Sequence, residues 1–114
     1  MELKANFKII YSEEAINFIN AQDEKVRAKI YYNINRSKYV IDKDLFKKLG
    51  DSEIWEFRTK YNGMEYRLLA FWDNEENRLV VATHGFIKKK QKTPQKEISR
   101  AEQIRKLYFS KKKK

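Results

Sequence analysis

Cysteine is absent from the chain, which excludes disulfides, thiolate catalysis and cysteine-based zinc sites. A single histidine, His84, cannot supply a histidine-rich metal site. Three glycines and one proline in 114 residues leave nothing that reads as a flexible linker or low-complexity segment. No apolar run approaches the ~18 residues that a membrane-spanning helix needs. The polar start "MELKANFK" lacks the apolar stretch of an export signal. A cytoplasmic protein without membrane contact is therefore expected. Gly-rich phosphate loops, paired-carboxylate signatures and a Ser-His-Asp order are also missing, so neither a metal nor a small-molecule cofactor is expected.

What is present argues for one folded domain. The hydrophobic fraction is 41% and the aromatic fraction 14%, against 37% charged residues. That suits a single modest core at this length, a domain over 1–110 with "KKKK" at 111–114 as a basic tail. The net charge of +10 is unevenly placed. Of the 26 Lys and Arg residues, 14 lie in residues 1–85 against 14 Asp and Glu; the remaining 12 face only Glu97 and Glu102 in residues 86–114. A neutral body with a basic end presents a localised positive field to a polyanion.

The coarse pattern is β-α-α-β-β-β-α. "FKIIYS" (7–12) reads as a strand, Ser12 as an N-cap and Asp23 as a second. The first helix turns Ala15, Ile16, Phe18 and Ile19 inward, and the second Val26, Ile30 and Ile34. An irregular connection (37–52) leads to three strands. "IWEFRTKY" (54–61) alternates, with Trp55, Phe57, Thr59 and Tyr61 on one face and Ile54, Glu56, Arg58 and Lys60 on the other. Asn62-Gly63 marks a hairpin into "YRLLAFW" (66–72), and "RLVVATHGF" (78–86) is the third strand. Its alternation sets His84 beside Val80, Ala82 and Phe86. Thr93-Pro94 supplies an N-cap and first-turn proline for a helix with Ile98, Ala101, Ile104 and Leu107 on one stripe. The fold class is α+β: a small antiparallel sheet with a helical hairpin on one face and a C-terminal helix.

Several charged residues converge. Arg67 interrupts an otherwise apolar strand, where it must reach solvent or a partner, and the open face is the natural place. Glu56 and Arg58 lie on the polar face of their strand. Lys88, Lys89, Lys90 and Lys92 crowd the turn after the last strand, and Lys47 and Lys48 precede the first of the three. Each of these charges could serve only as a surface pair or solvated turn; together they could border one phosphate-binding surface. Such tools suit metal-free cleavage of RNA, in which the substrate's own 2′-OH is the nucleophile. The protein then needs only to orient it, move protons and stabilise negative charge. Crowded cations disfavour one another's charge, so a lysine here could exchange a proton near neutrality. His84 is open to a structural or a proton-transfer role.

"LFKKLGDSEIWEFRTKYNGMEYRLLAFW" followed by "THGFIKKKQKTPQKEISRAEQIRKLY" resembles the RelE/ParE superfamily of bacterial toxins, most closely its HigB-like, phage-derived branch. The motifs W-E-F-R, Y-R-L, H-G-F-x-K-K and K-T-P-x-x-E-I occur in order over roughly residues 45–109. The resemblance implies a toxin, neutralised by a cognate antitoxin (a small helix-turn-helix protein), that cleaves mRNA on the ribosome and stops translation. It makes Arg67, Lys88, Lys90, Glu56 and His84 the candidate catalytic residues. Arg58, Lys89, Lys92, Lys47 and Lys48 become the candidate RNA contacts. Ile54 and Glu56 stand where RelE-like members carry lysines, and no tyrosine follows the basic turn, which leaves the general base open between Glu56 and His84. Two other functions fit the resemblance: inhibition of DNA gyrase, as in the ParE-like members, and a non-catalytic nucleic-acid-binding module.

Overall fold

The computed structural model describes residues 4–76, 78–89 and 92–112. The order is β1 (Lys8–Tyr11), α1 (Glu13–Asn20), α2 (Glu24–Ser37), β2 (Phe46–Lys48), β3 (Ile54–Tyr61), β4 (Met64–Asp73), β5 (Leu79–Lys88) and α3 (Gln95–Lys112). One five-stranded sheet runs β1-β5-β4-β3-β2. The α+β class and the expected order stand, with two additions. The edge strand β1 pairs parallel to β5, and the connection after α2 contains β2, three residues antiparallel to β3. Periodicity cannot reveal so short a strand. Among the described residues no helix is long and apolar enough to cross a membrane.

Local chemistry sets the boundaries. Ser12 Oγ accepts from Ala15 N at 3.0 Å and Asp23 Oδ1 from Val26 N at 3.0 Å, satisfying amides that the first helical turns leave free. Asn62 (φ 49°) and Gly63 (φ 77°) both take positive φ, as a two-residue primed hairpin turn requires. The turn fixes the pairing of β3 with β4 residue by residue, Arg58 opposite Arg67 and Glu56 opposite Leu69.

The sheet separates two cores. The helical hairpin covers one face, where Ile19, Ile30 and Ile34 pack with Phe57, Leu68 and Ala70. Helix α3 crosses the other, where Ala101 packs with Ile54, Leu69, Phe71 and Val81. Trp55 and Phe57 lie on the hairpin face as their alternation requires. Ile16 does not point inward but is 41% exposed, because Ala15, Phe18 and Ile19 already fill the stripe of a two-turn helix. Leu107 is also exposed: at ~100° per residue, nine residues turn it to the side opposite Ile98. Tyr108 and Phe109 pack there instead. Helix α3 extends into the run expected to be a tail. Lys112 Nζ meets Asp73 Oδ2 at 2.7 Å, beside the Tyr108 hydroxyl, which donates to the same oxygen at 2.6 Å.

A bulge in β5 changes the reading of His84. The register steps from Ala70↔Ala82 to Leu69↔His84, so Thr83 is the extra residue. Its hydroxyl donates to Leu69 O at 3.2 Å, and its own carbonyl accepts from Ser12 Oγ at 2.5 Å. One inserted residue reverses the facing of everything after it. Val80 and Ala82 therefore stay on the hairpin face, while His84 and Phe86 move to the α3 face. Gly85 turns toward α1, where the Phe18 ring lies against its backbone; a Cβ there would be 2.1 Å from Phe18 Cδ2.

Gly85→Ala should therefore lower stability by about 1–3 kcal/mol, the scale of overpacking a filled site, read as a lower urea midpoint. In a Phe18→Ala background the same change should cost almost nothing. An equal penalty in both backgrounds would place the clash elsewhere.

Candidate functional site

Helix α3 covers only part of its face of the sheet. Cross-strand pairing continues past it into a polar region that joins Glu56 and Arg58 of β3, Glu65 and Arg67 of β4, and Lys88 of β5, with His84 and Phe86 at the border with α3. Lys47 of β2 pairs with Glu56 and shares this face. Lys48 pairs with Trp55 and so faces the hairpin side. The structure does not bring it to the others, because neighbouring strand residues point to opposite faces.

Arg67 is the centre of the arrangement. Of the two outcomes expected of it, solvent or a partner, it takes the partner: it is 0% exposed, the largest fully buried side chain among the described residues. Carboxylates supply the compensation that a buried charge requires. Arg67 Nη2 donates to Glu65 Oε1 at 2.6 Å, and Arg67 Nε lies 3.3 Å from Glu56 Oε1. Arg58 stands directly opposite Arg67, an unfavourable like-charge pair unless an anion intervenes. Glu56 intervenes, with Oε1 also 3.6 Å from Arg58 Nε. Glu56 is thus on the expected face of β3 but is 2% exposed rather than superficial. Its other oxygen accepts the Thr93 hydroxyl. Thr93 consequently does not cap α3, which starts at Gln95, and ties the entry of that helix to the sheet instead.

Above this pair lies a groove of ≈ 600 Å³ lined by Lys47, Glu56, Arg58, Lys88, Lys92 and Thr93 together with the Leu49–Ser52 turn. A second groove of ≈ 760 Å³ shares Lys88, Lys92 and Thr93 and adds Phe86, Lys89 and Lys96. Lys90 lies outside the described residues. The Lys88 ammonium is held below the usual lysine range, first by burial and then by the Arg67 charge, with Glu56 and Glu65 opposing. Sequence reasoning names crowding by cations as the cause; desolvation outranks it. The Glu65 carboxyl is held below its ordinary range chiefly by its hydrogen bond to Arg67.

His84 is separate from the groove. Its ring is 2% exposed, with Nδ1 3.2 Å from the Thr83 hydroxyl and Nε2 3.2 Å from Glu97 Oε1. Burial pushes its pKa down, against the pull of Glu97, and the ring joins the start of α3 to the sheet. No groove-lining atom belongs to it. Sequence reasoning passes over Glu65, although the two-residue turn places it between Lys60 and Lys88 in the register. It also passes over Thr93 and Glu97 as partners of site carboxylate and imidazole, and nothing local signals those contacts. Among the described residues no three His, Cys, Asp or Glu side chains gather as a metal-binding group.

What the face can do is bind an anion of phosphate type. Arg67 Nη1 and Nε, and Arg58 Nε, make no hydrogen bond among the described residues. All three atoms are buried, and of the two arginines only Arg58 lines the groove with Lys47, Lys88 and Lys92.

A family model described as phage derived protein Gp49-like matches residues 17–106. No match was found among curated proteins. Among the solved structures that are similar are two from E. coli. A doubly substituted E. coli toxin RelE in the free state shares 17% identity at a TM-score of 0.62, over 88% of this chain and 97% of that one. A chain of the intact E. coli RelBE toxin–antitoxin complex shares 17% at a TM-score of 0.54, over 75% of this chain and 100% of that one. At that identity the likeness establishes a RelE-like fold.

Removing either carboxylate should separate their roles in stability. Glu56→Gln leaves the buried Arg67 charge with one partner and should cost about 3–5 kcal/mol. Glu65→Gln removes a partly exposed partner and should cost about 1 kcal/mol or less. Urea midpoints measure both, and equal losses would contradict the distinction.

Proposed function

We propose that this chain, which belongs to the phage-derived Gp49-like family, is a toxin that cleaves mRNA on the ribosome and is neutralised by a cognate antitoxin. The observation that carries the reading is the buried Arg67 guanidinium, with donors to spare, beneath a groove walled by Lys47, Lys88 and Lys92. The RelE-like fold supports it. The toxin–antitoxin complex of similar fold supports a small protein partner, in keeping with a helix-turn-helix antitoxin. Cytoplasmic action follows from the same reading.

The groove's cations take the RNA backbone, and their field holds the scissile phosphate over Arg67. The nucleophile is the neighbouring 2′-OH of the substrate, whose proton passes to solvent water as the O2′–P bond forms and the P–O5′ bond breaks. As it attacks, negative charge grows on the phosphorane oxygens, and a guanidinium meets two of them at once, which an ammonium cannot do as well. Lys88, already biased toward losing its proton, protonates the leaving 5′ oxygen. Glu56 holds Arg67 and Arg58 in position by ion pairing, and its other oxygen accepts from the Thr93 hydroxyl. So engaged, it is a positioning residue rather than the base. His84 acts through α3 rather than on the substrate. Arg58, Lys89, Lys92 and Lys47 serve as RNA contacts; Lys48 is outside the groove. The full burial of Arg67 favours one second reading, a nucleic-acid-binding module in which Arg67 only organises the fold.

Arg67→Ala should lower single-turnover cleavage of programmed mRNA on purified ribosomes by about 10²-fold or more, the scale of losing one transition-state donor. Arg67→Lys should recover part of that rate. A folded Arg67→Ala variant that cuts at the wild-type rate would favour the binding-module reading. Neutralising Lys47, Lys88 and Lys92 together should weaken RNA binding and flatten its salt dependence. The slope should fall by about 0.7 log unit per decade of salt for each lysine–phosphate pair removed. An unchanged slope would remove these lysines from the interface.

A further inference from the structure

Two carboxylates hold Arg67, and they are not equivalent. Glu56 has a side-chain exposure of 3% and is fastened by Arg58 and Thr93 as well as Arg67. The Glu65 side chain is 37% exposed, and its one side-chain bond among the described residues is the 2.6 Å bond to Arg67 Nη2. It lies just beyond the Asn62-Gly63 turn, next to the exposed Met64. Its cross-strand neighbours are Lys60 on one side and Lys88 on the other. A carboxylate leaving Arg67 thus has an ammonium within the register on either hand.

We propose that Glu65 is an exchangeable placeholder: an entering phosphate displaces its carboxylate from Arg67 and takes over the outer edge of the guanidinium. The inference rests on the phosphate-site reading above and adds how the site opens. A fully buried arginine cannot be left without an anion, because an uncompensated charge in a dry site is costly. Replacing one anion by another keeps Arg67 compensated throughout. The inner carboxylate, Glu56, stays, so the guanidinium keeps its orientation. Arg67 Nη1 is free of hydrogen bonds among the described residues, so a phosphate that gains Nη2 can pair with both Nη atoms in the forked geometry arginine favours. Glu65 is on this account a positioning residue that competes with the ligand. It lowers the site's affinity for small stray anions and leaves it to those ligands that the surrounding lysines also hold.

The test is titration of the full chain with inorganic phosphate, followed by NMR of the glutamate side-chain carboxyl carbons. In the wild-type protein, saturation should move the Glu65 signal toward that of a free carboxylate and leave the Glu56 signal in place. Glu65→Gln and Glu65→Ala should each bind phosphate about 3- to 10-fold more tightly, which is about 0.7–1.4 kcal/mol. Urea midpoints check that both variants are folded. Wild-type affinity or weaker in both folded variants, or a Glu65 signal that stays still at saturation, would overturn the placeholder. Phosphate binding with the Glu65 shift, but no cleavage of ribosome-bound mRNA, would keep the placeholder and sink the nuclease reading. No phosphate binding by wild type or either variant would sink both.

Discussion

A guanidinium buried in the middle of a β-sheet sets the terms for everything around it. Arg67 lies on the central strand with another arginine directly across from it, and neither could stay in place without a negative charge between them. Glu56 provides that charge from β3, and Thr93 secures Glu56 from the far side. Helix α3 thereby starts where its first residues can reach the sheet, with His84 and Glu97 as a second tie. Replacing such an ion pair with apolar residues is often neutral or stabilising, so stability alone is a weak reason for a protein to carry one here. A demand for positive charge at this point is a better reason.

The site also depends on incomplete coverage. The helical hairpin fills one face of the sheet with aliphatic and aromatic side chains, whereas α3 covers only the Ile54, Leu69, Phe71 and Val81 region of the other. The remaining pleats carry charged residues, and Lys47, Lys88 and Lys92 border them. Fold and candidate site are therefore one design: the same strands are apolar under α3 and ionic beyond its first turn.

Much of this is legible in the residues. Alternation in 54–61 assigns the faces of Trp55, Phe57, Glu56 and Arg58, and the Asn-Gly turn fixes the pairing that sets Arg58 against Arg67. Legibility fails where tertiary contacts overrule local pattern. The bulge at Thr83 depends on a hydroxyl bonded across to Leu69, so plain alternation puts His84 on the wrong face. Sequence reasoning places Arg67 on the open face and allows it a partner, but its full burial depends on Glu56 of the next strand and cannot be read from its own segment. The three-residue spacing in α3 suggests a stripe that a 3.6-residue helix does not keep, and Leu107 ends outside. The place of Lys48 is legible in principle, since β2 alternates like any strand, but a three-residue strand is invisible to periodicity.

The central claim is that the lysine-walled groove above Arg67 exists to cut mRNA. Its most direct test is tightly regulated induction in cells with mapping of new 5′ ends across the transcriptome, wild type beside Arg67→Ala. The account predicts new ends within translated reading frames for the wild type and their loss in the variant. Intact messages together with a DNA-damage response, in cells arrested by the wild-type chain, would contradict it.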